Sequence, residues 1–122
     1  MSGSREFVDW LLELLNPLGP VAARRMFGGY GLFRDGLMFA IVIDDVVWFK
    51  TDLQNRERFA SLGEAPFTYL RNGKPAQLQF YRAPDTAFDA PQELEPWARS
   101  AFEAALRASR SKLLPRTRKK KE

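Results

Sequence analysis

A chain of 122 residues that is 45% hydrophobic and 13% aromatic has the length and the apolar area for one core. It contains no cysteine and no histidine, which excludes disulfides, thiolate metal sites, the usual zinc ligand sets and every nucleophile activated by an imidazole. The net charge of +4 is uneven: seven of the 19 basic residues follow Ser109, and residues 1–109 carry about −2 by formal counting.

At the N-terminus, Ser4 is placed to cap a helix in which Phe7, Val8, Leu11, Leu12 and Leu15 form one apolar stripe. Arg5, Asp9 and Glu13 fall on its wet side, and Asn16-Pro17 ends it. The acids in this stretch do not suit a secretory signal, and no run approaches the roughly 18 apolar residues of a membrane span, so a cytoplasmic protein with no membrane partner is expected.

From Val21 the pattern becomes extended: VAARRMF, a tight corner at GGY, then YGLFR. Asp35-Gly36 is a two-residue hairpin signal, because both residues tolerate the positive φ of a type I′ turn. LMFAIVI is apolar on both faces and reads as a central strand covered on both sides. Asp44-Asp45 turns the chain into the strand VVWFK.

Asp52 is placed to cap a short helix over residues 53–62. PFTYL and AQLQFYR flank Asn72-Gly73, a third hairpin signal. Asp89 and Pro91 open a final helix reaching about Ser109, with Glu95–Arg99 and Glu103–Arg107 as i,i+4 pairs. The expected fold is α+β: an antiparallel, hairpin-linked sheet of about five to six strands packed with N-terminal and C-terminal helices, occupying residues 1–109, followed by a flexible basic tail over 110–122.

Candidate chemistry is sparse. Asp44 and Asp45 read as turn residues rather than a metal pair, and FGGYG lacks the Lys-Ser/Thr of a P-loop and the GxGxxG spacing, so it reads as a structural corner. Arg24 and Arg25 precede that corner and face opposite sides of a strand, so one of them at most points at any given site. The tail residues Arg110, Lys112, Arg116, Arg118, Lys119, Lys120 and Lys121 form a basic arm with no aromatics, suited to nonspecific phosphate contact with nucleic acid.

RRMFGGYG followed by DG, MFA, DD and FK, then PFTYLRNGKPAQLQFYRAP and the late Trp97-Ala98, resembles the TfoX N-terminal domain family over residues from about 7 to 108. The resemblance implies an α+β fold related to secretion-chaperone-like domains. It also implies a regulatory setting, since in full-length competence regulators this domain accompanies a helical C-terminal domain and takes part in activating DNA-uptake genes. The residues after Ser109 carry only the basic tail, so a stand-alone module is expected.

The family contributes no catalytic residue, cofactor or metal. Its motif positions Arg25, Met26, Phe27, Gly28, Gly29, Tyr30, Gly31, Asp35 and Gly36 become interaction candidates, of which Arg24, Arg25, Phe27 and Tyr30 are the side chains best suited. The expected function is a non-enzymatic regulatory or adaptor domain that binds a protein partner. The alternatives are nonspecific nucleic-acid binding through the tail and an enzyme with an Arg25/carboxylate site. A homodimer is one way to cover the sheet edges, and the residues do not choose between it and a monomer.

Overall fold

The computed structural model describes residues 4–26, 28–62 and 66–113, the last two as backbone alone. Helix α1 (Arg5–Leu14) starts where Ser4 Oγ accepts the Phe7 N–H at 3.1 Å, and a 3-10 turn over Asn16–Leu18 with Pro17 in it closes the segment.

Six strands follow: β1 (Ala22–Met26), β2 (Gly29–Arg34), β3 (Leu37–Ile43), β4 (Val46–Lys50), β5 (Pro66–Arg71) and β6 (Lys74–Tyr81). They form one antiparallel sheet in the order β1-β2-β3-β4-β6-β5. Helix α2 (Arg56–Ala60) lies between β4 and β5, and helix α3 (Pro91–Leu113) ends the described chain. The α+β sheet expected from the turn signals is therefore present, and its third strand is LMFAIVI.

The three hairpin dipeptides all take the backbone that their residues permit. Asp35-Gly36 has φ of 52° and 78°, Asp44-Asp45 has 52° and 60°, and Asn72-Gly73 has 54° and 78°. β1 pairs with β2 antiparallel in the same way, with Met26 opposite Gly29.

One core cluster joins the helices to one face of the sheet. Val8, Leu11 and Leu15 from the first helical segment, Phe59 from α2, and Leu94, Ala98, Ala101 and Phe102 from α3 meet Tyr30, Leu32, Phe39, Ala40, Val42, Val47, Phe49 and Tyr81. Phe59 meets Trp97 edge-on at 5.0 Å and Tyr81 in a tilted arrangement at 6.2 Å between ring centres.

Two expectations need correcting. LMFAIVI is central but is not covered on both faces: among the described residues every helix contributes to the same cluster, and the other side of β3 stays open. The double apolar pattern has two local causes. A register shift in the β2–β3 pairing lets Phe39 and Ala40 both serve the core, and Ile41, 4% exposed, lies outside the core cluster between its register partners Gly31 and Trp48. The final helix also runs past Ser109 to Leu113, so Arg110 and Lys112 belong to its last turns. Arg116, Arg118, Lys119, Lys120 and Lys121 lie outside the described residues, as does Phe27.

Candidate functional site

The open sheet face is built from the strand positions that alternate away from the core. Arg24, Gly31, Ile41 and Trp48 are successive register partners across β1, β2, β3 and β4 and form its middle row. Phe67 meets Trp48 edge-on at 5.0 Å, Arg24 lies over the Phe33 ring at 5.0 Å, and Lys50 lies over Phe80 at 5.5 Å.

Gly31 is the low point of this surface. A Cβ there would stand 2.5 Å from Met26 Sδ and 2.9 Å from Met38 Sδ, so two methionines bend over a strand position with no side chain of its own. Gly29 is tighter still, since its Cβ would fall 2.1 Å from the Val42 carbonyl oxygen. The glycines of FGGYG thus serve a hairpin and close packing against β3, in line with a structural corner.

Arg24 and Arg25 do face opposite sides. Arg25 lies 5.8 Å from the centre of the Tyr30 ring, and Arg5 of α1, held by Asp9 at 3.0 Å, lies 5.9 Å from the same ring. Tyr30 is in the core, 4% exposed, whereas Arg24 and Arg25 are exposed on their separate faces. Among the described residues neither arginine has a carboxylate within ion-pair distance, and aromatic rings take that place.

An arginine and a carboxylate do meet beside a cleft, but at the far end of the fold. An open groove of about 570 Å³ runs between residues 50–54, residues 78–80 and the α3 residues Ala104 and Arg107. At its wall Arg107 Nε donates to Asp52 Oδ2 at 2.6 Å and Nη2 to Oδ1 at 3.0 Å. The Arg107 guanidinium holds the Asp52 carboxyl below its ordinary value against the opposing effect of burial, and the backbone N–H groups of Asn55 and Gln54 reinforce it.

The partner expected for Arg107 on α3 was Glu103; the ion pair is with Asp52 instead, and Glu103 adds only a Coulombic contribution. Glu95–Arg99 forms as expected. The helix expected over residues 53–62 is shorter, Arg56–Ala60, and Asp52 does not cap it: its N-cap is Asn55, without a side-chain cap bond, while Asp52 Oδ1 accepts from Gln54 N at 3.0 Å and Asn55 N at 3.2 Å in the turn before the helix. Buried Asn55 answers by accepting the Asp52 N–H at 2.7 Å and donating to Ser100 O and Oγ on α3. These bonds fasten the β4–α2 loop to α3.

A smaller cleft of about 150 Å³ between α1 and the 3-10 turn over Asp85–Asp89 is lined by Phe7, Trp10, Arg82 and Phe88. Asp45, in the β3–β4 turn, accepts the Ser4 N–H at 2.7 Å, and among the described residues no three acidic side chains come together in a group that could hold a metal.

The sequence profile of the TfoX N-terminal domain matches residues 13–105, which covers most of both the sheet and α3. The chain belongs to the TfoX N-terminal domain family. A curated relative, Protein Sxy of Escherichia coli (strain K12), is 26% identical over 95 residues, which are 78% of this chain and 46% of Sxy. This TfoX N-terminal domain therefore spans about half the length of the curated relative it matches. The motif that carries the family resemblance, RRMFGGYG, forms the β1–β2 hairpin beside the open face. No helix among the described residues is long and apolar enough to cross a membrane.

Proposed function

We propose that this TfoX N-terminal domain is a non-enzymatic regulatory adaptor of the kind carried by competence regulators, acting in the cytoplasm by binding a protein partner. The observation that carries the reading is the open sheet face, where Met26, Phe33, Met38, Ile43, Trp48 and Phe67 are half-buried and no helix among the described residues lies over them. Apolar side chains contiguous across several strands mark an interaction surface.

The chemistry of the charged groups supports the same reading. Asp52 and Arg107 occupy each other, and the remaining capacity of Asp52 goes to two backbone N–H groups, so an ionised, fully engaged carboxylate is poorly suited to shuttling protons. Arg25 lies over Tyr30 without a carboxylate beside it.

Photo-cross-linking in the native cell tests the proposal. A photoreactive residue is placed at Trp48 on the open face and, separately, at Glu13 on the exposed side of α1, each in the chain with and without residues 110–122. A protein adduct from either position that persists without the tail is the expected result. Adducts only to nucleic acid, or adducts that vanish with the tail, would overturn it in favour of the basic arm.

A further inference from the structure

Charge is segregated in this fold. None of the six strands contains an Asp or a Glu, while they carry Arg24, Arg25, Arg34, Lys50, Arg71 and Lys74. The carboxylates stand in turns and on helices, such as Glu6, Asp9 and Glu13 of α1. Arg25 and Arg34 turn to the helical side, over Tyr30 and Phe102, whereas Arg24 and Lys50 flank the apolar open face and exposed Arg71 and Lys74 stand at the end of the β5–β6 hairpin.

We infer that the open face of the sheet docks an acidic amphipathic helix of a partner protein. The inference rests on the adaptor reading and specifies its partner. Four adjacent strands, β1 to β4, give a platform about 14 Å across at ~4.8 Å per strand, enough to seat a helix about 10–12 Å in diameter. Gly31 has no side chain of its own, and Met26 and Met38, which close over it, are unbranched thioethers that repack around a guest side chain. Leucine-like residues of the helix pack against these methionines and Trp48, and its carboxylates meet Arg24 at the margin.

Two other occupants fit less well. A second copy laid face to face would set Arg24 of each chain against a sheet whose strands hold no carboxylate. Single-stranded nucleic acid needs free ring faces for stacking, yet Phe33 is covered by Arg24, Phe80 by Lys50, and Trp48 is met by Phe67, while the rest of the surface is aliphatic.

The test uses the full chain, isotopically labelled at methionine and isoleucine methyls, titrated with three probes: a synthetic helical peptide with a leucine stripe and glutamate elsewhere, the same peptide with lysine for glutamate, and oligothymidylate. Saturable shifts at Met26, Met38, Ile41 and the Trp48 indole with the glutamate peptide alone, weakening with salt, are expected. Arg24→Glu should weaken that binding on the order of tenfold, and Met38→Glu should abolish it while the helical signal is retained.

Equal binding of the lysine peptide, shifts from oligothymidylate in place of the glutamate peptide, shifts confined to other surfaces, or light scattering showing a stable dimer closed over this face would each overturn the inference. A protein adduct formed only from Glu13 in the cross-linking experiment would sink the helix-docking inference and leave the adaptor reading standing. No tail-independent protein adduct at all would sink the adaptor reading itself.

Discussion

Asp52 and Arg107, 55 positions apart in the chain, share two hydrogen bonds and tie the end of β4 to the C-terminal half of α3. Each side chain is 28% exposed, so the pair is screened less than a surface ion pair and is not a fully desolvated one. Replacing Arg107 with Ala should cost about 1–3 kcal/mol, the range for hydrogen bonds to charged groups. Asp52→Ala should cost at least as much, because it also takes the acceptor from the Gln54 and Asn55 N–H groups. In urea denaturation the double variant should be less destabilised than the sum of the singles, and strict additivity would mean that the pair contributes nothing.

The same pair gives the fold an acid-sensitive element. Asp52 is depressed in the folded state, so between its folded value and the unfolded carboxyl value of about 3.9 the unfolded chain binds the extra proton. Its contribution is fully present above the unfolded value and is lost as pH falls through the folded one. Denaturation at pH 7 and at pH 3 should show a larger loss for the parent chain than for Asp52→Asn. Equal losses would assign the acid sensitivity to other carboxylates.

How much of this was readable in advance depended on whether the cause was local. Asp35-Gly36, Asp44-Asp45 and Asn72-Gly73 each carry the reason for their turn in their own residues, and the hairpins follow from them. The Asp52–Arg107 pair has no local signature: a capping role fully accounted for Asp52, and Glu103 offered Arg107 a neighbour on its own helix. The open face was hidden for a different reason. Met38, Ile41 and Ile43 look in sequence like residues under a second layer, and only the β2–β3 register shift and the one-sided core show that they are not. Tyr30 likewise read as a surface aromatic of a glycine corner, although cross-strand pairing with Arg25 turns it into the core.

The two glycines of β2 should respond differently to a methyl group. At Gly29 the new Cβ meets the backbone oxygen of Val42, which moves only if β3 moves, so Gly29→Ala should cost about 3 kcal/mol or more, at the upper end for overpacking. At Gly31 the obstacles are the ends of two flexible methionines, and Gly31→Ala should cost about 1 kcal/mol as they rotate away. Thermal melts of the two variants compare the costs directly. An equal loss at both sites would mean that Met26 and Met38 are locked over Gly31, which bears on their capacity to repack around a docked helix.

Thr51 sits at the end of β4, 2% exposed, with its Oγ1 buried and without a hydrogen-bond partner among the described residues. Its backbone N–H is engaged with the Gln79 carbonyl at 2.8 Å, so the strand pairing does not depend on the hydroxyl. Replacing the hydroxyl with a methyl group of nearly the same shape removes a desolvated polar atom and adds apolar contact. Thr51→Val should therefore stabilise the fold by about 1 kcal/mol. The measurement is the urea midpoint at constant m-value. A lower midpoint would mean that Oγ1 is satisfied by an ordered water, which would place solvent inside the joint between β4, β6 and α3 and make the Asp52–Arg107 groove deeper than its protein walls alone define.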